Sequence, residues 1–434
     1  MPTPWKIDIT LLDLSGYSSN GAEVFLLDDG QLVVRVSSEW ESGLYDDFFV
    51  EDHRTTLLTS TDGGITWEDY DGSLPAPGAD APDGTRVYIG NQGLSGDALR
   101  EHLEREGLGH LYTPDGQMAY RLYKEEKRAE LEAQGHQVND AFEGIVAVYP
   151  EIATCRSVDG GQTWTRTPIE NAPRGDAPVA AHTVGFFGRT IVLDDGTMMG
   201  TLYGRLNRTD TTTRVWVART TDSGHTWTFN PVFSDPDDRI GYNETHLLRL
   251  RSGRIIALAR PQFPTDHNMW QSVSDDGGVT WTEPKQVPFW GYPGYPIQLT
   301  NGDLLVTYAH RRHPVGVRAC VSSDDGDSWD IDNEKVIRND SLPKGVGYPQ
   351  SVELADGNIL SVYAMSKIDA LKPEDEIGYG KKLVLHPWFH TVACASKYTP
   401  DYVRARGQAS IQPEGVHPRR TGPGTDQITE SPQR

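Results

Sequence analysis

The octapeptide Ser60–Trp67 (STDGGITW) recurs four more times along the chain. The other copies are Ser157–Trp164 (SVDGGQTW), Thr220–Trp227 (TTDSGHTW), Ser274–Trp281 (SDDGGVTW) and Ser322–Trp329 (SSDDGDSW). In this pattern the Asp carboxylate accepts hydrogen bonds from nearby backbone N–H groups, and Gly permits the left-handed backbone of a tight turn. The Trp then anchors the strand that follows. Five copies in one chain predict a repeat architecture.

A second series of turn signals alternates with the octapeptides. Asp-Gly, Asn-Gly or Ser-Gly pairs followed by apolar runs predict β-hairpins. These pairs stand at 29–30, 115–116, 195–196, 252–253, 301–302 and 356–357. Six hairpins and five octapeptides predict an all-β chain of six four-stranded antiparallel sheets, arranged as a six-bladed β-propeller. In each blade the hairpin joins the first two strands and the octapeptide joins the last two.

The sixth blade has no octapeptide. Because only one strand-like run, 391–397, follows the strand at 360–365, the N-terminal run 5–14 is predicted to supply the fourth strand. The propeller is expected to occupy residues 1–403, with helical and loop insertions around blade two at about 69–107 and 124–140. The tail 404–434 is rich in Pro, Gly and Gln and is predicted to be disordered.

The composition narrows the range of partners. A formal net charge of -22 argues against nucleic acid and against an anionic membrane surface. Three Cys are too few and too scattered for a disulfide framework or a zinc site, and we expect no metal and no cofactor. The N-terminus shows no signal-peptide pattern and no apolar run reaches membrane length, so we expect a soluble cytoplasmic protein. The sequence gives no indication of oligomeric state.

Strand direction predicts which face of the propeller carries function. Hairpin turns and octapeptide turns all lie on one face, so functional residues are expected on the other. Glu244 and Tyr348 each stand nine residues before the Gly of a hairpin pair, which places them at the same depth in their blades. The ends of second strands and one loop bring further polar residues to this face: Arg260, Arg311, Arg312, Asp46 and Asp47.

The octapeptide is the Asp box, and the chain resembles the sialidase superfamily from about Ser60 to its last strand. The spacing of Glu244 and Arg260 is similar to that of the family's active site. The resemblance implies Tyr348 as nucleophile, Glu244 as its base and Asp46 or Asp47 as acid/base. It also implies Arg260 with Arg311 or Arg312 as ligands of a substrate carboxylate.

The chemistry fits these residue types. Sialic acid carries a carboxylate on its anomeric carbon, which would repel an anionic nucleophile, and a neutral Tyr activated by Glu avoids that repulsion. Arginines hold a carboxylate through paired, charge-assisted hydrogen bonds. The expected substrate is therefore an acidic carbohydrate, either a nonulosonic or a uronic acid glycoside.

The resemblance fails at the start of blade one. Sialidases carry an Arg there, whereas residues 18–30 (SSNGAEVFLLDDG) contain none, and Arg35 lies beyond the turn. Arg205, at the end of the second strand of blade three, is a candidate substitute. Ordinary sialosides are therefore expected to be poor substrates. Additional substrate-binding candidates near the same mouth are His182, His246 and Tyr295.

Two other functions remain open at this point. The first is a uronate-directed lyase, in which Tyr348 and either His182 or His246 would move the proton while the arginines neutralise the carboxylate. The second is a carbohydrate-binding propeller without catalysis, since Asp boxes also occur in propellers that only bind sugars.

Overall fold

A computed structural model of the chain describes its strands and the turns between them. The described residues are 5–13, 17–27, 29–40, 53–90, 94–112, 117–118, 121–134, 136, 138–148, 152–173, 189–206, 210–263, 267–342, 346–368 and 389–404. The helices are α1 (Gly96–Arg105), α2 (Arg128–Ala133) and α3 (Pro400–Arg404). None of the helices in these ranges is long and apolar enough to cross a membrane.

Most of the described chain folds into six antiparallel sheets of four strands, numbered I to VI in chain order. Sheet I contains, in spatial order, β2 (Tyr17–Leu26), β3 (Leu32–Trp40), β4 (His53–Ser60) and β5 (Glu68–Asp69). Sheet II contains β6 (Ala79–Asp80), β7 (Arg86–Gly90), β13 (Ala153–Ser157) and β14 (Thr165–Pro168). Sheet III contains β15 (Ile191–Val192), β16 (Met198–Gly204), β17 (Arg214–Thr220) and β18 (Thr228–Phe233).

Sheets IV to VI continue the same up-and-down order until the chain closes its last sheet. Sheet IV contains β19 (Gly241–Arg249), β20 (Ile255–Phe263), β21 (Trp270–Ser274) and β22 (Lys285–Gln286). Sheet V contains β23 (Gly294–Gln298), β24 (Leu304–His310), β25 (Gly316–Ser322) and β26 (Lys335–Arg338). Sheet VI contains β27 (Gly347–Glu353), β28 (Ile359–Ile368), β29 (Phe389–Tyr398) and β1 (Lys6–Leu12). Strand β1 pairs antiparallel with β29, with Ile7 opposite Lys397. The predicted pairing of the N-terminal run with the last sheet is confirmed.

The turn between the first two strands has the same backbone hydrogen bonds in all six sheets. In sheet IV, the Leu250 N–H donates to the Arg254 carbonyl at 2.8 Å and the Gly253 N–H donates to the Leu250 carbonyl at 3.0 Å. The six turns are Leu27–Gln31, Ala81–Thr85, Leu193–Thr197, Leu250–Arg254, Leu299–Asp303 and Leu354–Asn358. Counting back from the first residue of each turn therefore gives equivalent positions in the first strands, here called the inner strands.

Sheet II corrects the predicted position of one hairpin. Its inner turn is Ala81–Thr85, whereas the strands flanking Asp115-Gly116 belong to small sheets outside it. These are β8 (Leu94–Ser95) with β9 (Gln117–Met118), and β10 (Arg121–Lys124) with β12 (Ile145–Val148) and β11 (Val138–Phe142). Strands β6 and β7 thus lie inside the segment 69–107 that was expected to be an insertion. Helices α1 and α2 do fall where helical inserts were predicted.

Neighbouring sheets bury apolar side chains against each other. Five clusters are each shared between two sheets, joining II to III, III to IV, IV to V, V to VI and VI to I. Leu360 of sheet VI and Val34 of sheet I lie in the last of these clusters. Two smaller clusters, around Leu103 and Leu131, belong to the residues between β7 and β13.

The five Asp boxes repeat one hydrogen-bond pattern. In the first box, the Thr66 N–H and hydroxyl donate to the Asp62 carboxylate at 2.9 and 2.7 Å, and the Gly64 N–H donates to Ser60 Oγ at 2.8 Å. The bonds from Thr66 hold the pKa of Asp62 well below its ordinary value. The carboxylate therefore fixes the turn from within as an acceptor.

The Asp-box Trp side chains are not uniformly buried. Trp227 and Trp329 are buried, and their indole N–H groups donate to Thr154 and Gln271 in the preceding sheet at 2.6 and 2.9 Å. The other three, Trp67, Trp164 and Trp281, are half-buried and donate to the glycine carbonyl of their own box. Only two of the five thus link sheets through a hydrogen bond of the indole.

The glycine at the fifth position of the Asp box packs closely against the preceding sheet in three of the boxes. A Cβ atom at Gly224 would lie 2.6 Å from Val87 Cγ1 of sheet II, and one at Gly278 would lie 2.4 Å from Met199 Sδ of sheet III. At Gly326 the nearest atom would be Ile256 Cδ1, at 2.6 Å. Each of these boxes therefore packs against the preceding sheet with no space for a side chain.

Substitution of two adjacent glycines can distinguish the effect of close packing from the effect of backbone strain. Gly160 and Gly161 both have positive φ, but a Cβ at Gly161 would lie 2.1 Å from Ala76 Cβ while Gly160 faces open space. We predict that Gly160→Ala costs the left-handed penalty of about 1–2 kcal/mol and that Gly161→Ala costs clearly more. Urea unfolding of both variants measures the difference. Equal losses would contradict the close approach at Gly161.

Candidate active site

Glu244 and Tyr348 lie at equivalent positions, each six residues before the first residue of its inner turn. Both lie in irregular parts of their strands: the register of β19 with β20 shifts between Tyr242 and Thr245, and that of β27 with β28 shifts between Gly347 and Gln350. Tyr348 has φ +50, a left-handed conformation that costs a non-glycine residue about 1–2 kcal/mol. Bulges and strained residues of this kind redirect side chains next to functional sites.

The two side chains meet across the inner strands. The Tyr348 hydroxyl donates to Glu244 Oε1 at 2.6 Å, and Arg260 Nη1 donates to Glu244 Oε2 at 2.5 Å. Glu244 is 8% exposed. Burial, together with the Glu244 carboxylate, raises the pKa of Tyr348 to about 12. The tyrosine is therefore a neutral hydroxyl at physiological pH, with a carboxylate positioned to accept its proton.

Arg311 is the second cation of this cluster. Its Nε donates to the Val346 carbonyl at 3.1 Å, which holds the side chain at the base of β27. Burial and then the nearby Arg260 lower the pKa of Arg311. Arg312 instead stacks on Trp290, with its guanidinium carbon 4.0 Å from the ring centroid. Of the two adjacent arginines, the structure therefore brings Arg311 to the Glu244–Tyr348 pair.

Sheet III adds a tyrosine that the sequence reasoning missed. Burial and the Glu244 carboxylate raise the pKa of Tyr203, which places its hydroxyl within the field of the pair. Tyr203 stands ten residues after Leu193, as Arg260 stands ten after Leu250, so the turn register alone could have found it. Arg205 follows β16, and within the described chain its buried Nε has no hydrogen-bond partner.

His246 and Tyr295 occupy the next level of the inner strands. Their rings contact edge to face with centroids 4.9 Å apart. Burial lowers the pKa of His246 to about 3, so the imidazole is neutral at physiological pH. Three predicted site residues, Asp46, Asp47 and His182, lie outside the described residues. Within the described ranges, no three His, Cys, Asp or Glu side chains could together hold a metal ion.

Comparison with known proteins agrees with this architecture. Residues 136–361, more than half of the chain, match the model of the BNR repeat-like domain family. The chain belongs to this family. No curated protein matches the sequence.

Solved structures share the fold of this BNR repeat-like protein. A protein of unknown function from Dyadobacter fermentans is 18% identical with a TM-score of 0.60, over 92% of this chain and all of that chain. The NanB sialidase from Streptococcus pneumoniae is 13% identical with a TM-score of 0.52, over 93% of this chain and 71% of that chain. The resemblance to the sialidase superfamily is confirmed, and at these identities it shows the fold alone.

The lowered pKa of His246 makes a prediction about acid stability. The unfolded chain binds a proton near the ordinary pKa of 6.5, whereas the folded chain binds it only near 3. The free energy of unfolding should therefore fall as pH is lowered from about 6.5 toward 3, and His246→Gln should flatten this dependence. Urea unfolding from pH 4 to 7 measures this pH dependence. The control is His110→Gln, because His110 is exposed. An unchanged slope in His246→Gln would show that His246 is not held neutral.

Proposed function

We propose that the chain is an exo-acting glycoside hydrolase of the sialidase type, acting on an acidic sugar. The observation that carries the proposal is the 2.6 Å hydrogen bond from Tyr348 to Glu244, with Arg260 on the other carboxylate oxygen. Tyr348 Oη would attack the anomeric carbon while its proton passes to Glu244 Oε1. The glycosidic bond would break with protonation of the departing oxygen by Asp46 or Asp47. Water would then release the sugar from the tyrosine.

The local charge supports an anionic substrate. Among the described residues around the pair, Arg260 and Arg311 supply two positive charges and Glu244 one carboxylate, although the chain carries a net charge of -22. Two guanidinium groups can hold one carboxylate through charge-assisted hydrogen bonds. Because no arginine occupies residues 18–30, a nonulosonic or uronic acid other than ordinary N-acetylneuraminic acid is the proposed substrate class.

Loss of the tyrosine hydroxyl tests the proposal directly. Tyr348→Phe should lower kcat by about a hundredfold or more while leaving the fold intact. The matched control is Tyr363→Phe in the same sheet, which removes a buried hydroxyl bonded to Ser396 at 2.6 Å. Turnover is measured on aryl glycosides of N-acetylneuraminic acid, of another nonulosonic acid and of a uronic acid.

The outcomes separate the alternatives. Hydrolysis by wild type and its loss in Tyr348→Phe support the mechanism, while full activity in Tyr348→Phe would remove it. An unsaturated uronate chromophore would identify a lyase. Binding of all three sugars without turnover would identify a carbohydrate-binding protein.

We also propose that the six sheets form a closed six-bladed propeller over residues 1–403. Five interfaces between consecutive sheets are supported by shared apolar clusters, and a closed ring requires sheet I to meet sheet II as well. In a closed ring, weakening one sheet weakens the whole, because the neighbours on both sides lose a packing surface.

Removal of β1 tests this closure. Deleting residues 1–12 exposes the edge of β29 and should lower the melting temperature by several degrees while keeping a single transition. Differential scanning calorimetry measures both features. A melting temperature equal to that of wild type, or a separate transition for part of the sheets, would contradict the closed ring.

A further inference from the structure

The inner strands carry a second polar level below the Glu244–Tyr348 pair. Four residues before the inner turns stand Glu23, His246, Tyr295 and Gln350, in sheets I, IV, V and VI, and Arg189, two residues before the inner strand of sheet III. Glu244 and Tyr348 stand six residues before theirs. At about 3.3 Å per residue, the two levels are about 6–7 Å apart along the strands. The next level, two residues before the turns, is apolar: Phe25, Ala79, Ile191, Leu248, Ile297 and Val352.

The side chain of Arg189 connects the residues just before β15 with sheet I. Arg189 extends to sheet I, where its Nη2 donates to the Val24 carbonyl at 2.7 Å and its guanidinium carbon lies 5.5 Å from the Phe25 ring centroid. The positive charge of Arg189 acts on both His246 and Tyr295, which contact each other. One cation from the segment before β15 thus contacts sheet I and acts electrostatically on residues of sheets IV and V.

At this level, the positive charge of Arg189 is not balanced by the carboxylate of Glu23. Glu23 forms an ion pair with Arg35, its partner across β2 and β3, so that carboxylate already has its own cation. His246 and Tyr295 are neutral, because burial lowers the pKa of the first and raises that of the second. The described part of the chain gives Arg189 a single hydrogen bond, and its side chain is exposed.

A guanidinium held in this way suits recognition of an anion. The bond to Val24 and the stacking on Phe25 fix its direction, so little conformational freedom is lost when a ligand binds. Its remaining N–H groups can form a bidentate pair with a carboxylate or sulfate. The neighbouring Tyr295 and His246 add neutral hydrogen-bonding groups.

We propose that Arg189 is a specificity-determining residue that binds an anionic group of the substrate reaching below the reacting carbon. This inference rests on the proposed function, and it names the substrate class more narrowly. The sugar carries an anionic group that Arg189 holds below the Glu244–Tyr348 pair, while Arg260 and Arg311 bind the sugar beside Tyr348. The cation that residues 18–30 lack is thus supplied to sheet I by sheet III, at a deeper position.

The experiment compares three variants with wild type. Arg189→Ala removes the cation, and Arg189→Lys keeps the charge but loses the fork. Arg251→Ala is the matched control, because Arg251 also reaches a neighbouring sheet, donating to the Leu299 carbonyl at 2.7 Å, but lies at the turn end of sheet IV. Calorimetry measures binding of methyl glucuronoside, its sulfated derivative and neutral methyl glucoside. Turnover gives KM and kcat on whichever acidic aryl glycoside the wild type cleaves.

The expected result is a loss of affinity and a rise in KM of about ten- to a hundredfold for acidic ligands in Arg189→Ala. The loss should be smaller in Arg189→Lys, and neutral methyl glucoside should bind as weakly to Arg189→Ala as to wild type. Arg251→Ala should bind like wild type. A loss for every acidic ligand assigns Arg189 to the carboxylate, and a loss confined to the sulfated ligand assigns it to a second anionic group.

Two outcomes distinguish this inference from the proposed function. If Arg189→Ala keeps wild-type melting temperature, affinity and KM while Tyr348→Phe is inactive, the inference is wrong and the hydrolase stands. If Tyr348→Phe stays fully active while Arg189→Ala loses affinity for acidic sugars, the reverse holds. A drop in kcat and melting temperature without a change in affinity would make Arg189 structural and overturn the inference.

Discussion

The close approach of Gly224, Gly278 and Gly326 in their Asp boxes to the preceding sheet is the constraint on which the arrangement depends. Hydrogen bonds to the Asp carboxylate fix the turn, and the turn presents a backbone without a side chain to the neighbour. Distances of 2.4–2.6 Å from a hypothetical Cβ to Met199, Val87 and Ile256 leave no room for even a methyl group. The contact is made at the same position of three successive boxes, those of sheets III to V, and each time against the preceding sheet.

That regularity brings side chains of distant sequence together at the inner strands. Glu244 and Tyr348 are 104 residues apart in the chain, yet a common depth in sheets IV and VI puts their side chains in hydrogen-bond contact. The fold determines how deep the two residues lie in their sheets. The direction of their side chains is determined locally, because both residues lie where the strand register shifts. The left-handed backbone of Tyr348 is a cost that the surrounding sheet must offset, as is common where geometry serves a site.

Local patterns predicted much of this structure because the turns are determined by their own residues. Asp boxes and glycine pairs gave the sheets, their strand order and the register of Glu244 with Tyr348. Sheet II was misplaced because Asp83-Gly84 precedes a strand of only five residues, and β13 follows after a long insertion, so Asp115-Gly116 offered a stronger local signal. Arg189 was missed because its contacts with Val24 and Phe25 join sheets III and I, which no pattern near Arg189 reveals.

The distribution of charge gives the inner strands a chemical character opposite to that of the whole chain. A net charge of -22 repels anions at long range, but salt screens exposed charges beyond about 8–10 Å. Among the described residues close to the inner strands, Arg260, Arg311 and Arg189 outnumber the carboxylate of Glu244, and Glu23 is already paired with Arg35. Short-range recognition there favours an anion, and a neutral tyrosine can approach such a ligand where a second carboxylate would be repelled. Under the proposed function, this charge distribution accounts for both the hydroxyl at position 348 and the acidity of the proposed substrate.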